Sequence, residues 1–253
     1  MHVQAEVDHD GDAVAETAWV TELAAEARGS GMLGPVACVA YADLRADDVR
    51  GTLAAHRRSP LTHSIRQEAW FDPASTRADI PRANLVADPA WQQGYRMLAE
   101  FGLSFDLLVR PAQLPEAAAF VADVPAVPVV LEHLGLPDPR GDGGLRTWRS
   151  GVSLLAQLPH AAVKLSAISV LGTPRDERAV RAVVGELLDV FGPRRCMIGS
   201  NFPVERLAGG FGELYRLMVA SLEDLSDDER ADVLAGTARR FYRIPETPER
   251  KAL

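Results

Sequence analysis

The sequence predicts an α/β fold on a parallel sheet, a (β/α)8 barrel of the TIM type. Three observations predict it. Short apolar strands alternate with amphipathic helices along the whole chain. The 253 residues are the usual size for one such barrel, so residues 1–253 read as a single domain. Charged and polar residues recur at the ends of the strands, where a barrel carries its chemistry.

Strands are predicted at 2–7, 35–41, 63–69, 104–110, 127–133, 161–167 and 196–200. Helices are predicted between them. A first helix covers 13–28, "AVAETAWVTELAAEAR". Further helices follow in "DPAWQQGYRMLAEFG" and "LPEAAAFVADV". The clearest is "DERAVRAVVGELLDVFG". There Val180, Val183, Val184, Leu187, Leu188 and Phe191 fall on one face of a 3.6-residue period. Pro174 and Gly192 mark its start and stop. Near the end, Ser226 and Glu229 have capping-box spacing. The loops 70–91 and 135–144 follow strands and are expected over the mouth of the barrel.

Seven strands is one short of a closed barrel. The chain opens directly on a strand. The first strand is therefore missing or replaced. A strand has gone unread, or the natural chain began upstream, or another element plugs the gap. An exposed sheet edge would favour a homo-oligomer.

Composition narrows the function. The net charge is −8, with 47% hydrophobic and 25% charged residues. Such an acidic chain is a poor candidate for nucleic acid or an anionic membrane. No apolar run approaches the roughly 20 residues of a membrane span, and no signal peptide is evident, so a cytoplasmic location is expected. Cys38 and Cys196 sit in apolar runs and read as reduced core thiols. None of the six histidines forms an HxH or HxxxH pair. GxSxG, P-loop and GxGxxG motifs are absent, which leaves covalent serine catalysis and nucleotide cofactors without support.

The strand ends supply the candidate site. Gln4 and Glu6 follow the first strand. Arg66 and Gln67 close the third, with Glu68 beyond. Asp106 and Arg110 share a face of the fourth by the two-residue period, and Gln113 follows. Glu132 and His133 close the fifth. Lys164 and Ser166 share a face of the sixth, and Ser200 and Asn201 end the last. Charge inside a barrel must be paired or functional. Arg66, Asp106, Arg110, Glu132, His133 and Lys164 are accordingly read as a polar cluster at one mouth.

These strand ends carry a resemblance. "HSIRQ", the run from "DPAWQQGYRMLAEFG" to "VVLEHLGLP", "VKLSAI", "RCMIGSNFPVERL" and "TARRFYRI" resemble the amidohydrolase 2 family, which includes lactone hydrolases and decarboxylase relatives. The resemblance covers about Met1 to Ile244 and implies a distorted (β/α)8 barrel of amidohydrolase type that hydrolyses small cyclic esters. The chain departs from the family pattern in three places. The opening HxH strand is absent, Ala112 stands where the family has a histidine, and Asn201 stands where it usually has a water-activating aspartate.

The resemblance implies a hydrolase of a small lactone or related ester. An amide cannot take a proton near neutrality, so Asn201 can only orient water. Proton abstraction falls to His133 or Glu132. Substrate, expected to be an anionic small molecule, is assigned to Arg66, Gln67, Asp106, Arg110, Gln113, Lys164 and Ser166. The departures remove most metal ligands, so a metal-free mechanism with no cofactor is expected, and zinc is disfavoured. Two alternatives stand beside this reading. One is a non-catalytic or truncated barrel that binds a ligand or partner. The other is a decarboxylase or other lyase.

Overall fold

A computed structural model describes residues 1–4, 11–73, 83–138, 142–171 and 177–245. All seven expected strands are present: β1 His2–Val3, β2 Cys38–Tyr41, β3 Thr62–Arg66, β4 Ser104–Leu107, β5 Val129–Leu131, β6 Ala161–Leu165 and β7 Cys196–Ile198. They form one sheet in chain order, and every neighbouring pair is parallel. The helices are α1 Ala15–Gly29, α2 Val49–His56, α3 Pro89–Met97, α4 Leu114–Ala122, α5 Asp142–Ala156, α6 Glu177–Phe191, α7 Phe211–Ala220, α8 Asp227–Ala231 and α9 Thr237–Phe241. The sheet curls into a barrel that is open on one side. Among the described residues, no ladder joins β7 to β1.

The two-residue strand period sorts the side chains into two layers. Ile65, Phe105, Leu107, Val129, Leu131, Val163, Leu165 and Cys196 join the large cluster that the helices cover. Val39, Val130, Ala162 and Met197 form a second, inner cluster, which Tyr242 enters and against which Ala238, Phe241 and Ile244 pack. The C-terminal segment therefore fills the inside of the curled sheet. On β3, β4, β5 and β6 the inward position at or just past the C-terminal end is polar: Arg66, Asp106, Glu132 and Lys164.

Local signals fix the helices. In α6, the predicted face is buried at Val180, Val183, Val184, Leu187 and Phe191, while Leu188 packs half-buried beside it. The helix stops at Gly192, whose φ is 75°. Pro174 lies outside the described residues. Asp88 caps α3 by accepting the Ala90 N–H, with Pro89 in the first turn. The Ser226–Glu229 capping box forms as its spacing predicts. Gly94 lets α3 approach the loop after β2. A Cβ there would lie 2.0 Å from the Leu44 carbonyl oxygen.

The strands are shorter than predicted at the mouth. β4 ends at Leu107, and Arg110 is extended ahead of Pro111 (φ −76°, ψ 155°). The two-residue period therefore does not carry from Asp106 to Arg110. Residues 5–7 of the first predicted strand, with Glu6, lie outside the described residues, as does His9. Both cysteines are buried, and burial pushes each thiol up to about 12, Cys38 with help from Glu16. No described helix is long and apolar enough to cross a membrane.

Candidate active site

Four ionic side chains from four adjacent strands meet inside the barrel. The Lys164 ammonium donates to Asp106 Oδ2 and, at 2.8 Å, to Glu132 Oε1. Arg66 Nη1 donates to Glu132 Oε2 at 3.0 Å, and its other terminal nitrogen lies 3.6 Å from Glu68. Asp106 also accepts from Ser64 Oγ at 2.6 Å and from the Tyr242 hydroxyl at 2.8 Å. All four ionic residues are buried. Two cations and two carboxylates balance in charge, which is what permits them to be buried together. Burial pulls the Lys164 ammonium down, but Asp106 and Glu132 outweigh it and hold it protonated. Against burial, Lys164, Arg66 and His133 hold the Glu132 carboxyl well below the usual carboxylate range. Burial pushes the Asp106 carboxyl up against the pull of Lys164.

His133 stands just past the end of β5, beside this cluster. Its Nδ1 lies 2.9 Å from Ser166 Oγ, and its Nε2 lies 3.9 Å from Glu132 Oε2. The side chain is 14% exposed. Burial lowers its pKa to about 4, with Arg66 and Lys164 adding to the effect and Glu132 opposing it. The imidazole is thus neutral at physiological pH. Ser166 is held close under β7. A Cβ at Gly199 would lie 3.1 Å from Ser166 Cβ, so the glycine permits the approach.

The backbone at these strand ends is left-handed. His133, Leu134, Gly135 and Leu136 have φ of 56°, 58°, 72° and 50°. Three of them are not glycine, and each such residue costs of order 1–3 kcal/mol. Trp148 pins the turn by donating its indole N–H to the Leu134 carbonyl at 2.7 Å. Ala167 after β6 (φ 56°) and Asn201 after β7 (φ 49°) share the feature. Asparagine tolerates it best, since its side chain can bond locally. Such strain gathers at sites where geometry is over-determined.

Of the six residues read as one cluster, five come together: Arg66, Asp106, Glu132, His133 and Lys164. Arg110 does not join them. It pairs with Asp72 at 3.3 Å and lies over the Trp70 ring at 4.6 Å. Two residues assigned to substrate, Gln67 and Gln113, hydrogen-bond within the protein. Gln67 accepts from the Leu44 N–H and the Trp91 indole and donates to Asp43. Gln113 accepts from the Phe71 and Arg110 N–H groups and donates to Ala69 and Asn84. Both amides spend their donors and acceptors on the loops, because loops near the mouth have backbone groups to satisfy. Asp106 is fully buried and shared among three donors, so it too braces the site. Glu132 is held as an ionised, twice-paired carboxylate. Its Oε2 lies 3.9 Å from His133 Nε2.

Sequence reading did not single out Tyr242 or Ser64. Tyr242 is 136 residues from Asp106 in the chain. Its only signal was an aromatic with a polar tip, set between Phe241 and Ile244 in an arginine-rich C-terminal segment.

Among the described residues, the donor set does not fit a metal ion. The ammonium of Lys164 lies where a cation would bridge Asp106 and Glu132. His133 is the one imidazole in contact with the cluster among the described residues, and no group of three metal-binding side chains occurs among them.

The fold defines the class, a parallel α/β barrel with a polar cluster at the C-terminal ends of its strands. Comparison with known proteins agrees. A family model described as amidohydrolase matches residues 3–244. An L-fucono-1,5-lactonase of Burkholderia multivorans is 34% identical over 246 residues, covering 91% of this chain and 77% of the relative. A crystal structure of a Burkholderia multivorans amidohydrolase with bound HEPES superposes with a TM-score of 0.80 at 32% identity, over 96% of this chain and 82% of that one. A structure of an amidohydrolase from the same organism with bound zinc gives 0.79 at 32% identity, with the same coverage. The chain belongs to the amidohydrolase 2 family and is a hydrolase of the amidohydrolase superfamily.

Proposed function

We propose that this protein hydrolyses a small lactone by direct water attack, without a metal ion. The observation that carries the reading is the neutral His133 imidazole. It is fixed by Ser166, sits beside the Glu132 carboxylate and stands next to a buried, charge-balanced ionic cluster. The lactonase among the relatives supports the substrate class.

With Nδ1–H donated to Ser166, Nε2 accepts a proton from water as the water oxygen attacks the lactone carbonyl. Glu132 stabilises the imidazolium that forms, from 3.9 Å. Arg66 and Lys164 supply positive potential to the carbonyl oxygen as its charge develops. Asn201 orients the water. The tetrahedral intermediate then breaks its ring C–O bond. The imidazolium returns the proton to the leaving alkoxide, and a hydroxy acid is released. In the charge-balanced cluster both cations already serve carboxylates, so we read the substrate as neutral rather than anionic.

A panel of lactones of different ring size and substitution tests the reading. Turnover is expected, lost by at least about a hundredfold in His133→Ala and unchanged after dialysis against chelator. Activity that survives His133→Ala would sink the assignment. Activity lost to chelator and restored by zinc would overturn the metal-free mechanism.

A further inference from the structure

A cavity of about 330 Å³ opens at the end of the barrel opposite His133, under the N-terminal ends of β5, β6 and β7. Buried Ala161 and Ala162, at the start of β6, line it. Its charged walls come from two segments. Arg194 and Arg195 stand on the turn before β7, and Arg240 and Arg243 stand on and just past α9. Neither the proposed base nor the ionic cluster lines it.

Among the described residues, these four guanidiniums have one carboxylate within ion-pairing distance. Asp232 accepts from Arg240 Nη1 at 2.5 Å and lies 3.7 Å from Arg194. Backbone carbonyls hold the other two arginines. Arg195 donates to Phe191 at 2.9 Å, to Ala156 at 2.8 Å and to Leu158 at 3.0 Å. Arg243 Nη2 donates to Gly102 at 2.7 Å and to His63 at 3.3 Å. A carbonyl orients a guanidinium but does not cancel its charge. Four cations against one carboxylate leave the cavity strongly positive, in a chain whose net charge is −8. Burial, with the like charge of Arg57 nearby, pulls the Arg243 guanidinium below its ordinary pKa.

The groups are also fixed in place. Arg240 Nη2 donates to Thr237 Oγ1 at 3.2 Å, and Thr237, 2% exposed, donates to the Pro193 carbonyl at 3.2 Å. Arginines oriented in advance lose little further freedom when an anion binds. A guanidinium fork matches the oxygens of a phosphate. Several forks around one small cavity favour a group that carries nearly two negative charges, as a phosphate monoester does near neutrality.

From this arrangement we propose that the underside of the barrel binds a small phosphate-bearing anion, gripped between Arg194 and Arg195 on one side and Arg240 and Arg243 on the other. The site is independent of the lactonase reading. An anion held there ties the turn before β7 to the C-terminal segment, whose Tyr242 reaches Asp106 inside the barrel. Binding to the folded chain therefore raises its stability.

The test titrates inorganic phosphate and glycerol 3-phosphate into the full chain by calorimetry. Thermal unfolding is followed in each, against chloride at matched ionic strength. Saturable binding of at least one is expected, with a rise in Tm that chloride does not produce. Tighter binding of the ester assigns the site to organic phosphates, and tighter binding of phosphate assigns it to the free ion. Both results support the proposal.

Arg194 is 75% exposed, and its one ion-pair contact among the described residues is the 3.7 Å approach to Asp232. Arg194→Ala is therefore expected to keep its Tm in ligand-free chloride buffer and to bind phosphate at least about tenfold more weakly. Arg240→Gln is expected to show the same loss of binding. Arg50→Gln, at an exposed arginine paired with Glu100, is expected to bind as the wild type does. Heat and Tm changes no larger than those in chloride overturn the proposal. So does an affinity that Arg194→Ala leaves unchanged, or one that Arg50→Gln lowers as much as Arg194→Ala does.

Discussion

His133 shows how an ordinary residue becomes specialised. An exposed histidine titrates near 6.5, where half its population would be useless as a base at mildly acid pH. Burial beside Arg66 and Lys164 lowers this one to about 4. kcat/KM is therefore expected to stay flat down to about pH 5 and to fall as pH drops through about 4, as the imidazole takes a proton. A pH–rate profile of the free enzyme checks this, and an acid limb near 6.5 would contradict it. Tyr242 acts at the same scale. Its hydroxyl donates to the buried Asp106 carboxylate. Tyr242→Phe keeps the ring and removes the donor. It is expected to lower stability by about 1–3 kcal/mol, measured by urea unfolding.

At the scale of elements, close approach matters more than sequence pattern. Gly94 sits inside α3, where glycine is a poor helix former. It is tolerated because α3 rests on the Leu44 carbonyl. Gly94→Ala would place a methyl group 2.0 Å from backbone that cannot move aside. It is expected to cost about 1–3 kcal/mol or more despite its better helix propensity, as thermal unfolding would show. At Gly199 the neighbour is a side chain, Ser166 at 3.1 Å. Gly199→Ala is expected to shift Ser166 away from His133 and cut kcat/KM by about tenfold or more, with a small change in Tm. Equal loss of stability at both positions would contradict the difference drawn between them. The strands and the helices α1, α3, α4 and α6 were legible from alternation, periodicity and caps, while α2, α5 and α7 were not singled out. Their ends were not. β4 stops at Leu107 because the chain turns over the mouth there.

The whole molecule is stabilised around an ionic centre. Lys164 faces two carboxylates from neighbouring strands, so Lys164→Met would leave two buried negative charges without their shared cation. A loss of about 3–5 kcal/mol is expected, read by chemical denaturation. The same centre sets the pH response. His133 has a folded-state pKa below its unfolded value of 6.5. The unfolded chain therefore binds more protons between pH 6.5 and 4, and stability falls as pH drops through that window. Glu132, held below its ordinary value, adds a further loss as pH falls beneath the usual carboxylate range. Unfolding free energy measured against pH should decline from about 6.5 downward.

The sequence by itself determined the alternation, the seven strands, the face of α6, and which strand ends carry charge, because periodicity and local caps are short-range. It also placed His133, Glu132, Lys164 and Arg66 at one mouth, since strand ends of a parallel sheet converge. Only the tertiary structure decided their roles. Gln67 and Gln113 matched the family's motifs and bond to groups near the loops, and Glu132 is paired with Lys164 and Arg66. Tyr242 gains its meaning from a partner that local patterning does not reveal. Hydrogen-bond capacity and desolvation depend on what surrounds a group from every side. Local spacing fixes only which side of its own element the group faces.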